Sequence, residues 1–419
     1  MKLLIYIEQS KILENMLLPA QVNPGFGGTT YSAIRLAFEL HQKYQLEESD
    51  IKVSLITKNF DEKNFNGMEV INFNQLENYF CDIFLISGDI FDFLLKQNIR
   101  LNTKRLIAWI HHPFDYDKIN KSKKLNAEIV SVGKSQFISN YFIAGNHNHI
   151  ENLFCARRIR KSAIFDKLIN QNKKNRLNDF KNNITFGYMG ALVPSKGFHQ
   201  IARYWRDILD LCYARDLQPR LEVIGGTNLY GFDENHSKIP TTLEYGNLIE
   251  KMIGKEIDST VFFHGTLDQK RYKLMSRCDI AIVNPEGYGE AFPASILEWM
   301  SLSIPVIGSQ NYGCYDAMRF NYPLTIKSNK EIVKKIKFFL NLNTLEKENL
   351  KDLSYNIANY FSSKQEYIVN KWILLFKQQF QKINEYPSKI IVIKLLYDWL
   401  KYVFKKIFKK LFLMKIKNK

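Results

Sequence analysis

Short apolar runs alternate with stretches of helical spacing along most of this chain. The alternation breaks once and then restarts. Residues 3–7, 53–56, 83–86, 106–110 and 129–132 are brief apolar or β-branched runs, and polar or helical segments such as 29–44 separate them. Runs this short suit strands covered on both faces, as in a parallel sheet. Parallel strands need crossover connections, so the pattern predicts an α/β, doubly wound sheet. Residues 166–183 are rich in Asn and Lys and read as a linker. Beyond them the pattern resumes at 184–189, 221–224, 261–263, 280–283 and 305–307, with a helical stretch at 198–211. A chain of 419 residues can hold two such units, predicted over 1–165 and 184–363. A helix over 364–386, anchored by Tyr367, Trp372, Leu375 and Phe376, falls outside the strand pattern and ends before Pro387.

The formal net charge is +17, and its position matters more than its size. Residues 388–419 hold ten lysines and one acid, Asp398, a net of +9. The other 387 residues therefore carry +8, since 17 − 9 = 8. A protein that grips nucleic acid more often spreads basic residues over a folded face, so no nucleic-acid partner is expected. On a helical projection Leu396, Leu400, Val403, Phe404, Ile407, Leu411 and Met414 share one side of this tail, with Lys394, Lys401, Lys405 and Lys409 opposite. That is a basic amphipathic helix suited to the headgroup plane of an anionic leaflet, where each lysine contributes about 1 kcal/mol. A helix packed on the protein's own core is the plainer reading, but the charge density exceeds what packing needs. No uncharged run is long enough to span a bilayer, and residues 1–8 lead straight into a strand, not a signal peptide. Five scattered cysteines with no Cys-x-x-Cys pair fit a reduced, cytoplasmic setting.

Residues 281–300 carry the most chemical information. An apolar strand runs into a loop holding Gly287 and Gly289, and a helix starts near Pro293. Two carboxylates, Glu290 and Glu298, are separated by seven residues, the second about two turns into that helix. The unpaired N–H groups and positive dipole end of a helix favour phosphate, and carboxylates at its edge can accept hydrogen bonds from sugar hydroxyls. If Glu286 were the first acid, its partner would be Ala294, so only the Glu290 register closes.

Other motifs are weaker alone. Gly190 to Gly197, with Lys196 before the last glycine, follows a strand but is not a P-loop. Gly25-Phe26-Gly27-Gly28 lacks the spacing of a dinucleotide fingerprint. His111-His112-Pro113 stands at the carboxyl end of a strand run, where open α/β sheets face their ligands, yet a packing histidine is an equal reading. His147-Asn148-His149 reads as loop. No carboxylate or cysteine set for zinc accompanies these histidines, and no Gly-x-Ser-x-Gly elbow occurs.

Together these motifs resemble the retaining glycosyltransferases of the GT-B fold, specifically glycosyltransferase family 4 (group 1 glycosyl transferases). The resemblance spans most of residues 1–385, and its specific part is the Glu290-x7-Glu298 element in its Gly and Pro context. It implies two Rossmann-like domains closing over a nucleotide-sugar, with the acceptor mainly on the first and 364–386 crossing back to that domain. It implies Glu290 at the donor sugar's hydroxyls, Glu298 at the ribose and Lys196 at the diphosphate. Backbone N–H groups of Ala291 and Phe292 would meet sugar and phosphates. Gly27, Gly28, Gly190 and Gly197 would border the donor, and His111, or alternatively His112, would approach the transferred sugar. The family's arginine after the glycine of the Gly…Lys-Gly turn is replaced by Ala191, so half of a cationic clamp is missing or supplied elsewhere.

The function implied is transfer of a sugar, without a metal or other cofactor, to a lipid-linked, lipopolysaccharide or other cell-surface glycan acceptor. The tail implies a protein peripherally attached to the inner face of the plasma membrane. Competing readings are another GT-B enzyme, such as a nucleotide-sugar epimerase or a glycan phosphorylase, and a non-catalytic basic nucleic-acid-binding protein. The last explains the charge but not the motifs.

Overall fold

The computed structural model describes residues 1–8, 27–58, 64–65, 67–112, 116–145, 147–152, 182–227, 233–319 and 321–379. The strands of the first half are β1 (Lys2–Ile7), β2 (Lys52–Thr57), β3 (Asn64–Phe65), β4 (Met68–Asn72), β5 (Cys81–Ser87), β6 (Thr103–Ile110), β7 (Glu128–Ser131) and β8 (Asn148–His149). They form one sheet in the order β3-β4-β2-β1-β5-β6-β7-β8, parallel except for the β3–β4 pair. Its helices are α1 (Gly28–Gln45), α2 (Phe91–Lys96), α3 (Tyr116–Lys124) and α4 (Lys134–Ala144). The second half holds β9 (Asn183–Met189), β10 (Gln218–Ile224), β11 (Val261–Phe263), β12 (Ile280–Val283), β13 (Val306–Ser309) and β14 (Thr325–Ile326). These form an all-parallel sheet, β11-β10-β9-β12-β13-β14. Around it lie α5 (Phe198–Tyr213), α6 (Leu243–Ile253), α7 (Arg271–Met275), α8 (Ala294–Ser301), α9 (Tyr312–Met318), α10 (Ile332–Asn341), α11 (Thr344–Ser363) and α12 (Gln365–Phe376).

These are two Rossmann-like domains, as the alternation predicts, and burial explains why the strands were readable. In β1 and β2 every residue after the leading lysine is buried. A strand covered on both faces must be apolar throughout. Leu3 of β1 lies opposite Val53 of β2 and Ile83 of β5, so the central strands share one dry register. In the second sheet Gly187 on β9 makes room for Trp299 of α8, since a Cβ there would stand 2.3 Å from the indole.

Four strands escaped the sequence reading. β3 and β14 have two residues each, β4 alternates with the exposed Glu69, and β8 corrects the reading of His147-Asn148-His149 as loop. Asn148 and His149 pair with Val130 and Ser131 at the sheet's edge. Two polar residues carry no period, and tertiary contacts decide their state: His147 Nε2 lies 2.8 Å from Ser131 Oγ.

Helix α12 packs on the first sheet although it follows the second. Trp372 meets Trp109 of β6 edge-on at 4.8 Å between ring centroids. Arg105 of β6, held by two hydrogen bonds to Glu128, donates to the carbonyls of Leu375 and Phe376 at 3.2 and 2.7 Å. A cation thus satisfies the last carbonyls of the helix. The expected continuation of this helix beyond 379, most of the 166–183 linker and the whole 388–419 tail lie outside the described residues.

Candidate active site

The carboxyl ends of the parallel strands of both sheets open on one cleft of about 590 Å³. Glu8 follows β1 and His111 follows β6, while Gly190, Gly225 and Asn284 follow β9, β10 and β12, and all five line it. Open α/β sheets place ligands at this end of their strands.

The second-domain wall is built around the turn after β12. Asn284 adopts a positive φ of 33° there. Its Nδ2 donates to the Tyr288 carbonyl at 3.0 Å and to Glu290 Oε1 at 3.2 Å, while its Oδ1 accepts from the Gly287 N–H at 3.1 Å. Gly287 and Gly289 have φ of 71° and 74°, a region open to glycine at little cost. The turn delivers Glu290 into the cleft, where its Oε1 accepts from Lys196 Nζ at 2.7 Å. Lys196 ends a single 3-10 turn (Pro194–Lys196) after β9, and Gly197, at φ 72°, reverses the chain into α5.

Ala291 and Phe292 follow on the cavity wall and lead to Pro293, the N-cap of α8. No side chain caps this helix, so its first N–H groups are left for a ligand or water. Glu298 is the fifth residue of α8, a little over one turn in, not two. It is buried, lines the cleft, and its Oε1 stands 3.4 Å from Arg271 Nη2. Burial raises its carboxyl above the usual range, against the pull of Arg271.

The first-domain wall carries fewer charges, Glu8 and Lys118. Gly27 and Gly28 open α1, and an ideal Cβ on either meets nothing within 4 Å, so space remains beside them. Their neighbours Gly25 and Phe26 lie outside the described residues. The His111 ring lies tilted against Trp109, 4.5 Å between centroids, with Nε2 3.3 Å from Ser87 Oγ. Its ring keeps some surface open to the cleft but sits deep within it. That desolvation, aided by His112 and Lys118, pushes its pKa well below the ordinary value, so the imidazole is neutral near pH 7. His112 is more exposed, and its carbonyl accepts from Gln136 Nε2 at 3.0 Å. The same amide also receives the Val132 N–H, which ties the ends of β6 and β7 together.

Ten of the eleven residues singled out on the sequence line this one cleft: Gly27, Gly28, His111, His112, Gly190, Lys196, Glu290, Ala291, Phe292 and Glu298. Gly197 does not. It lies behind the wall, where an ideal Cβ would be 3.2 Å from Pro285 Cδ, and it serves the turn that presents Lys196. Glu286, left out of the carboxylate pair, points into a separate network and accepts from Gln200 and Asn329. Arg271, Asn284, Asn152 and Lys118 line the cleft and were not singled out. Only Asn284 carried a local signal, an asparagine directly after a strand and before the glycine turn. Trp109 Nε1 and Asn152 Oδ1 are buried with no hydrogen-bond partner among the described residues. Among those residues no group of three His, Cys, Asp or Glu could hold a metal ion.

Residues 169–359 match the model of the family described as glycosyl transferases group 1. A search of curated proteins finds no match. Among solved structures, Anabaena Alr3699/HepE in complex with UDP-glucose is similar, with 15% identity and a TM-score of 0.59 over 88% of this chain and 99% of that one. A glycosyltransferase from Rickettsia africae gives 13% and 0.59 over 91% and 99%. The N-terminal domain of trehalose-6-phosphate phosphatase from Candida albicans gives 12% and 0.61 over 90% and 97%. At such identities the likeness is one of fold.

Proposed function

Starting from a chain with the GT-B fold whose residues 169–359 match group 1 glycosyltransferases, we propose that it is a retaining glycosyltransferase. It moves a sugar from a nucleotide-sugar to a lipid-linked or cell-surface glycan acceptor. The observation that carries this reading is the Lys196–Glu290 pair, 2.7 Å long, beside the uncapped N-terminus of α8. Without substrate each side chain satisfies the other. A nucleotide-sugar can replace both partners at once, with diphosphate oxygens taking Lys196 and sugar hydroxyls donating to Glu290. UDP-glucose is the ligand named for the HepE structure, and a uridine nucleotide is accordingly the first donor to test here.

As the glycosidic bond breaks, its electron pair leaves with the diphosphate. Lys196 and the helix N-terminus meet that growing charge, and stabilisation that strengthens toward the transition state is what raises a rate. We propose that these groups suffice without a metal. Glu298 accepts from the ribose. Neutral His111, on the opposite wall, offers the transferred sugar a hydrogen bond without a charge. The acceptor hydroxyl then attacks the oxocarbenium-like centre from the leaving-group face and passes its proton to the departing diphosphate, which retains configuration. A two-carboxylate double displacement needs a nucleophile beside the anomeric carbon. Glu298, buried against Arg271, is not placed for that.

The lipid side of the proposal rests on the basic amphipathic tail, 388–419, and places the protein on the cytoplasmic face of a membrane. No helix among the described residues is long and apolar enough to cross one. Replacing Glu290 with Ala should abolish most sugar transfer from a panel of nucleotide-sugars, and near-normal turnover would overturn the assignment. Removing the residues after Tyr386 should release the protein from anionic vesicles, and unchanged binding would refute the membrane role.

A further inference from the structure

A buried arginine faces the same cleft, and no step above uses it. Arg271 opens α7, is 3% exposed and lines the cavity. Its Nη1 donates to the Asp268 carbonyl at 3.0 Å, and its Nη2 donates to Tyr272 Oη at 2.7 Å and to Glu298 Oε1 at 3.4 Å. Glu298 is itself 5% exposed. Two opposite charges closed off from water hold each other, and removing one leaves the other to neutralise or to destabilise the site.

We propose that Arg271 is a positioning residue for nucleotide recognition: it keeps Glu298 ionised and turns its carboxylate so that one oxygen remains for the hydroxyls of a ribose. The inference rests on the reading that this cleft binds a nucleotide. An ionised carboxylate can accept from two hydroxyls at once, whereas a protonated one must spend an oxygen as a donor. Desolvation already favours protonation of Glu298, and Arg271 is the cation that opposes it. Tyr272 on α7 and Tyr31 on α1 of the first domain also act electrostatically on Arg271, and both are phenols. Neither can replace the guanidinium, since a phenol brings no positive charge. Tyr31 also places the pair where the two domains meet.

The test is calorimetric binding of UDP, GDP and ADP between pH 6 and 8. The nucleotide bound most tightly is then compared with its 2′,3′-dideoxy form. Wild-type affinity should vary less over this range than that of the arginine variant. Arg271→Met should weaken the ribonucleotide about tenfold or more at pH 6 and less at pH 8, because Glu298 then takes up a proton as pH falls. The dideoxy nucleotide should bind both proteins alike, and Arg271→Lys should restore most of the loss. Glu298→Gln keeps the shape of the side chain and guards against misfolding of the arginine variant. It should lose similar affinity with no pH dependence. Equal losses for ribose and dideoxyribose at every pH, or wild-type affinity in Glu298→Gln, would overturn the proposal. Wild-type protein that binds none of the three nucleotides removes the nucleotide reading, and this inference with it. Normal transfer by Glu290→Ala would instead sink the glycosyltransferase assignment while leaving Arg271's role at a nucleotide site standing.

Discussion

The two walls of the cleft are built from the same kind of strand ends but differ in how much charge they carry. The second-domain wall holds two ion pairs, Lys196–Glu290 and Arg271–Glu298, together with a helix N-terminus. The first-domain wall holds Glu8 and Lys118 among two glycines, an indole, an asparagine and an imidazole that burial keeps neutral. A wall of paired charges can exchange its internal partners for an anionic, hydroxyl-rich ligand. A wall with fewer charges, whose Trp109 Nε1 and Asn152 Oδ1 have no hydrogen-bond partner among the described residues, suits a less charged one. On the proposed function, the difference teaches that one fold, used twice, divides the labour: the second domain meets most of the charge and the first meets hydroxyls.

The comparison breaks most readily at its two most exposed claims. Lys196→Met should lower kcat by about 100-fold or more, as removal of a preorganised transition-state contact does. His111→Phe should cost about tenfold, the scale of one neutral hydrogen bond. Steady-state rates with saturating donor measure both. A larger loss at His111 than at Lys196 would reverse the division between the walls.

How much of this was legible follows from where each signal sits in the chain. The parallel strands announce themselves because both faces are dry over their central residues, so 3–7, 83–86, 106–110 and 280–283 read as unbroken apolar runs. The glycine turn with Glu290 is also local: strand, turn and helix lie within 281–300. Arg271 left no trace, because its partner stands 27 residues away on another element and only the fold joins them. β8 was hidden for a related reason, since Asn148 and His149 are strand only through Val130 and Ser131. Gly197 was assigned to the cavity because sequence gives adjacency to Lys196 but not the direction of the turn.

The contact that joins the walls is the last place to sharpen the comparison, with the smallest expected effect. Helix α4 of the first domain begins after Gly133, which has no side chain to cap it. Glycine is required there, because a Cβ would stand 2.3 Å from the carbonyl oxygen of Ala291 in the second domain. The cap comes instead from across the cleft. Asp316 of α9 accepts from the Ser135 N–H at 2.8 Å and from Ser135 Oγ at 2.9 Å. Losing such a cap costs about 1 kcal/mol, so Asp316→Ala should lower the thermal midpoint by a few degrees. Desolvation raises the Asp316 carboxyl to about 6, against the two bonds from Ser135. The folded form therefore holds its proton more tightly than the unfolded chain. That contribution to stability is complete below the unfolded value of 3.8 and is lost as pH rises through about 6. Buried His111, His147 and His149 of the first domain, with pKa values pushed down, act in the opposite sense and lose stability as pH falls below 6.5. Subtracting the stability curve of Asp316→Asn from that of the wild type cancels the histidines. The remainder should fall as pH rises from about 4 to about 6 and level off above. A flat difference would mean that Asp316 does not titrate in the contact and that α4 is held by packing alone.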